Sequence, residues 1–316
     1  MPTASPGPNA PAVIKSGLIK GWQAYVWLMK IIVPISFLTM LLLYSGWMGK
    51  LDVVLTPVMG LLHMPAMAAL PLLVGVIANV YGGLAIMAVL PLSQVELTLL
   101  AIFLMISHNL VQEGIIQAQS GVHPFKIIMI RLTASVLTVI CVAPLLGAGV
   151  DLSGQSAAVA SSSATAAGTL GQTVRQWMFD TLSLALKLLI ILLLLMPLIE
   201  VVKAYALAQK IQNGLAPLLK IMGLRPQVGL LWLVGVLFGV AFGAAVIREE
   251  FERGYLAAED MERLHVSIGI NHSMIEDPII FMLLGLQLFW LVVPRLVASM
   301  AAVHVLIGWQ KISSRM

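Results

Sequence analysis

Two polar stretches interrupt otherwise apolar sequence, Ser107-His108-Asn109-Leu110-Val111-Gln112-Glu113 and Asn271-His272-Ser273-Met274-Ile275-Glu276-Asp277, with the two histidines 164 residues apart. Imidazole, amide, hydroxyl and carboxylate groups together can hydrogen-bond a polar solute, relay a proton or ligate a cation. Inside a bilayer each such group is costly, so ionisable residues at depth mark a pathway or a binding site. Two imidazoles with carboxylates nearby could bind Zn or Fe across a twofold axis. A histidine bonded to a helix carbonyl freed at Asn109 or Asn271 needs no metal, so no metal centre is assigned and both readings stay open. His63, His123, His265 and His304 fall near expected interfaces or alone and are not assigned as ligands. Neither Gly-x-Ser-x-Gly nor His-Glu-x-x-His occurs, and Ser107 and His108, as direct neighbours, point to different helix faces, so no enzyme is expected.

Composition sets the medium around these groups. Of 316 residues, 60% are hydrophobic and 10% charged, and the mean hydropathy is +1.00. An ordinary soluble domain does not have this composition; an all-α polytopic membrane protein, with the lipid bilayer as its partner, does. The net charge of +4 comes from basic residues scattered between apolar runs, not the clustered stripe that nucleic acid needs. One cysteine, Cys141, rules out an intrachain disulfide or a four-cysteine metal site. The opening residues are rich in Pro, Ala and Ser without an apolar core, so residues 1–20 are expected to be a flexible tail and not a signal peptide.

Crossing roughly 30 Å of hydrocarbon takes about 20 apolar residues. Tyr25 to Met48 qualifies; Leu51 to Met64 is too short and reads as an interfacial amphipathic helix. Ala66 to Pro91 has Asn79-Val80-Tyr81-Gly82-Gly83 at its centre, a helix-weakening cluster that fits a re-entrant hairpin. Glu96 to Gln119 and Pro124 to Gly147 are full spans. An Ala/Ser/Gly linker follows, assigned to 148–175. The order then recurs: a span at Gln176 to Lys203, an amphipathic segment at Ala206 to Met222, an ambiguous segment at Gln227 to Ile247, and spans near Met261 to Gln287 and Leu288 to Trp309.

The duplication is collinear. Leu73-Val74-Gly75-Val76 returns as Leu233-Val234-Gly235-Val236, and Arg131-Leu132-Thr133-Ala134-Ser135 aligns with Arg295-Leu296-Val297-Ala298-Ser299. The expected domains are a first repeat at 21–147 and a second at 176–312. If the ambiguous segments are hairpins, each repeat has three full spans, an odd number that inverts the second. That arrangement puts thirteen Lys and Arg on one face and only Lys50 and Arg175 on the other, whereas counting them as spans divides the same residues nine to six. Because cytoplasmic loops collect Lys and Arg, two inverted repeats are expected, with six full spans, two hairpins and both termini cytoplasmic.

The order span, interfacial helix, hairpin, span, span, given twice in opposite orientation around Ser107-His108-Asn109…Gln112-Glu113 and Asn271-His272-Ser273…Glu276-Asp277, resembles the nucleoside-recognition Gate domain family. That family is related to spore maturation proteins A and B, the membrane part of ferrous iron transporter B and the core of concentrative nucleoside transporters. The resemblance covers roughly residues 20 to 312. It implies a bacterial inner membrane and a substrate and ion site built by two hairpin tips and the unwound middles of the spans after them. Carried onto this chain, the tips are Asn79, Tyr81, Gly82 and Gly83, and Gly239, Phe242 and Gly243; the spans contribute Ser107, His108, Asn109 and Gln112, and Asn271, His272, Ser273 and Glu276. No GTP-binding domain or Walker-type loop is visible before the first span, and the lone cysteine cannot supply a cysteine-rich iron gate.

Charges at depth can be paired by position. Glu113 and Arg131 each lie nine residues from 122, and Asp277 and Arg295 each nine from 286, so each repeat is expected to hold an intramembrane ion pair that acts as a scaffold clamp. The same arithmetic gives Glu276 no arginine and makes it the candidate for ion coupling. The function expected is secondary transport of a small polar solute, nucleoside-like, by alternating access coupled to Na⁺ or H⁺, without a cofactor. The alternatives are a metal or cation permease or channel using His108, His272 and Glu276, and a non-transporting membrane partner that recognises a ligand or assembles a complex, a homo-oligomer included.

Overall fold

A computed structural model describes residues 9–147, 169–204, 207–240, 247–248 and 257–313. Every regular element among them is helical. In chain order they are α1 (Ala10–Tyr44), α2 (Met48–Leu61), α3 (Ala69–Ile77), α4 (Val80–Met87), α5 (Gln94–Ser107), α6 (Leu110–Ala118) and α7 (Pro124–Val142). The second series is α8 (Leu170–Ala204), α9 (Leu207–Ile221), α10 (Gly229–Phe238), α11 (Ala258–Asn271), α12 (Glu276–Phe281) and α13 (Leu288–Ser313). Tail residues 1–8, most of the linker, and Phe242 and Gly243 of the expected second tip lie outside the described residues.

Among the described residues, five helical stretches are long and apolar enough to cross a membrane: 10–44, 94–118, 124–146, 170–201 and 288–313. Two bent pairs raise the number to at most seven, and in them α2 meets the following arm at 83° and α9 meets its arm at 118°. Two expectations need correction. Residues 10–20, assigned to a flexible tail, are the first turns of α1, which starts with Pro11 in its first turn, where a missing N–H costs nothing. Residues 170–175, assigned to the linker, likewise open α8. The segment expected as a span at Met261 to Gln287 is the helix pair α11 and α12, broken at its polar run as the 94–118 stretch is broken into α5 and α6.

Glycines set the closest approaches. A Cβ at Gly17 would lie 2.3 Å from Pro197 Cα, and one at Gly21 would lie 2.8 Å from the Leu192 carbonyl. Lys20 bonds Glu200, and Trp177 bonds Ser36. Low numbers of α1 therefore meet high numbers of α8, and these two helices run antiparallel. Helices α3 and α4 fold back on each other about Asn79, with a Gly83 Cβ falling 3.4 Å from Gly75 Cα. Asn79 caps α4 by accepting the Gly82 N–H at 2.7 Å.

At the centre, α5 begins in a reciprocal cap: Ser93 Oγ accepts the Glu96 N–H while Glu96 accepts the Ser93 N–H. In the stretch 94–118, 72% of the apolar window is buried, against 22–33% in the other four, so this is the helix the rest surround. Helix α8 carries exposed Leu182, Leu186, Ile190 and Leu194, the apolar stripe that lipid would cover.

Candidate functional site

The two polar stretches break their helices in the same way. His108 and His272 end α5 and α11 in extended backbone, at ψ 159 in both. Each is followed by a non-glycine residue in left-handed conformation, Asn109 at φ 51 and Ser273 at φ 50. Asparagine tolerates that region; serine pays about 1–2 kcal/mol for it. A broken helix exposes N–H groups that nothing in hydrocarbon can satisfy. Here the hairpin arms satisfy them: Asn109 N–H donates to Gly75 O at 3.1 Å and Met274 N–H to Val236 O at 2.9 Å.

Contacts between the stretches reverse direction along the chain. Gln94 bonds the Leu284 carbonyl, His108 meets His272, Gln117 bonds the His265 carbonyl, and Lys126 pairs with Glu262. At the crossing, His108 Nε2 and His272 Nε2 are 2.9 Å apart, their rings inclined by 55°. Each ring is fixed from behind, Nδ1 of His108 donating to Leu104 O at 2.8 Å and Nδ1 of His272 to Gly269 O at 2.9 Å. A carbonyl oxygen only accepts, so the proton of each neutral ring is on Nδ1, and both Nε2 atoms present lone pairs to each other.

Glu113 joins both rings to the scaffold. Its Oε2 accepts from Arg131 Nη1 at 2.6 Å, the ion pair expected for the first repeat. Its Oε1 lies 3.3 Å from His272 Nε2 and 3.6 Å from His108 Nε2. Arg131 also donates from Nε to Ile106 O and from Nη2 to His108 O, so a single guanidinium holds carbonyls at the end of α5 as well as the Glu113 carboxylate of α6.

The second expected pair does not close. Arg295 donates to the Ile270 and His272 carbonyls much as Arg131 donates to those of Ile106 and His108, but its Nη1 has no hydrogen-bond partner among the described residues. Asp277 Oδ2 is also without one and lies 3.9 Å from His108 Nε2. Position relative to the break explains the difference. Helix α6 starts at Leu110 and carries Glu113 as its fourth residue, whereas α12 starts at Glu276, with Asp277 second and Pro278 third. The later start rotates Asp277 away from its arginine.

Of the other expected site residues, Tyr81 is the one that crosses between halves: its hydroxyl donates to Glu276 Oε1 at 2.8 Å. Asn109 Oδ1 and both side-chain polar atoms of Asn271 are buried with no hydrogen-bond partner among the described residues. Ser107 is committed to structure, since its Oγ bonds the Arg131 carbonyl and Ser135. Gly82 and Gly83 serve close packing, and a Cβ on Gly239 would meet Ser273 Oγ at 3.5 Å. Gln112 is exposed on the face of α6 it shares with Val111 and Ile115 and does not join the cluster. Three features escaped the sequence reading: the second oxygen of Glu113 at the histidines, the Gln117 bridge, and the burial of His265 with both ring nitrogens unpartnered. Glu113 and Gln117 are four residues apart on one helix face, a spacing that could have flagged the bridge.

Residues 25–118 match the model of the Gate family, described as nucleoside recognition. The chain is also similar to a Bacillus subtilis (strain 168) protein described as the uncharacterized membrane protein YvoD, 28% identical over 302 residues that make up 94% of this chain and 96% of the relative. No solved structure matches. The apolar helices and the similarity to a membrane protein together identify an integral membrane protein, whose residues 25–118 are similar to the Gate nucleoside-recognition family.

Proposed function

We propose that the protein is a secondary transporter that moves a small polar solute, of nucleoside-like size and polarity, by alternating access between two halves of opposite orientation. One observation carries the reading. His108 and His272 are equivalent in the duplication and touch each other, while the contacts on either side of them run antiparallel. A twofold axis in the membrane plane, passing between the two rings, has that signature.

On this reading α3 and α4 form a re-entrant hairpin, α10 opens its counterpart, and α2 and α9 lie at opposite interfaces of a bacterial inner membrane with both termini cytoplasmic. The buried amides of Asn109 and Asn271 recognise the solute. The Tyr81–Glu276 bond latches the first hairpin to the opposite half and breaks as the halves rock, which makes Glu276 the residue that couples solute movement to Na⁺ or H⁺. Sealed proteoliposomes test this. Labelled nucleosides should accumulate under a Na⁺ or pH gradient, and Glu276→Gln should abolish accumulation while leaving solute binding. If folded protein in sealed vesicles moves no member of a nucleoside and amino-acid panel, the reading fails. Undiminished gradient-driven uptake by Glu276→Gln removes the coupling role.

A further inference from the structure

We infer that His108 Nε2, His272 Nε2 and Glu113 Oε1 bind one divalent transition-metal ion of the Zn²⁺ class between the two halves. The ligand atoms stand 2.9, 3.3 and 3.6 Å apart. An ion about 2 Å from each, the usual zinc–imidazole and zinc–carboxylate bond length, sits close to the centre of a triangle with those edges. All three residues are buried.

Three lone-pair donors converge on one point, and mutual repulsion would drive them apart unless a cation lay among them. A proton on His272 Nε2 would face both His108 Nε2 and Glu113 Oε1, so proton and metal compete for the same three atoms, and metal titration separates them. Asp277 Oδ2 lies 3.9 Å from His108 Nε2 but stands outside the group of three, so water completes the coordination of a bound ion. The surroundings are those of a metal site. Each imidazole donates its other N–H to a backbone carbonyl, fixing tautomer and ring orientation, and the second carboxylate oxygen of Glu113 is held by Arg131. Two nitrogens and one carboxylate oxygen suit Zn²⁺, Co²⁺ or Fe²⁺ and not Mg²⁺ or Ca²⁺, which take oxygen sets. The ligands come from both halves, so the ion pins the two breaks together, whatever solute is moved.

The test uses the full chain in detergent, stripped with chelator and then equilibrated with Zn²⁺ or Co²⁺. One ion per chain is expected, with the intense visible d–d bands of four-coordinate Co²⁺ and a rise in melting temperature that Mg²⁺ does not produce. His108→Ala and His272→Ala should each weaken binding by about 100-fold or more. Cys141→Ser, which removes the lone exposed thiol, should leave stoichiometry and spectrum unchanged. Circular dichroism and gel filtration establish that the variants are folded, and His272→Asn, a polar replacement, stands in if the alanine variant is not. Fewer than about 0.1 ion per chain in folded wild-type protein, Co²⁺ spectra unaltered in a folded histidine variant, or equal stabilisation by Mg²⁺ overturns the assignment.

Discussion

Glu113 and Asp277 are equivalent in the duplication, yet the structure gives them unequal duties, and neutralising each separates the two. Arg131 is only 1% exposed, and Glu113 is its carboxylate partner at 2.6 Å. Glu113→Gln keeps an acceptor of similar shape but leaves a buried guanidinium uncompensated, which costs about 3–5 kcal/mol. Asp277→Asn breaks no bond to Arg295, whose Nε and Nη2 remain on the Ile270 and His272 carbonyls, and it removes a carboxylate oxygen that has no hydrogen bond. Its cost should stay within about 1 kcal/mol. Thermal melting in detergent, with chelator present so that no metal contributes, reads the difference. At about 2–4 °C per kcal/mol, Glu113→Gln should lower the midpoint by roughly 6–20 °C and Asp277→Asn by no more than about 4 °C. Equal drops in the two variants would refute the asymmetry and restore the symmetric clamps expected from sequence.

Other perturbations follow from single contacts. Tyr81→Phe removes a hydrogen bond to a carboxylate across the halves, so uptake at sub-saturating solute should change by about tenfold, equivalent to about 1.4 kcal/mol; an unchanged rate would mean that the latch does not gate. Ser273→Gly relieves a left-handed serine and should raise stability by up to about 1 kcal/mol in chemical denaturation; a loss larger than that would mean the hydroxyl is doing more than the backbone. Gly17→Ala drives a Cβ into the Pro197 backbone and should cost about 1–3 kcal/mol. Gly214→Ala, with nothing within 4 Å, should be neutral or stabilising on a helix.

How much of this was legible beforehand varies from residue to residue. The two polar stretches, the 164-residue offset and the Glu113–Arg131 pair could be read from spacing alone, because helix periodicity and equal distance from a turn fix depth. Depth does not fix rotation about the helix axis. The later start of α12 turned Asp277 away from Arg295, and the facing of α6 put Gln112 on the outer surface. Five of the six expected spans are long apolar stretches among the described residues, and Met261 to Gln287 is a helix pair broken at its polar run, as Glu96 to Gln119 also is. Contact between the two histidines was beyond the sequence, since it depends on how two distant breaks cross.

The opposite orientation of the halves is the claim on which the shared site rests, and one labelling experiment tests it directly. His123 and Gln287 are equivalent positions of the duplication, each exposed just before the last long helix of its half. In a Cys141→Ser background, His123→Cys and Gln287→Cys are treated with a membrane-impermeant maleimide in inside-out and right-side-out vesicles. The account predicts that position 123 labels only from the cytoplasmic side and position 287 only from the opposite side. Labelling of both from the same side would contradict it.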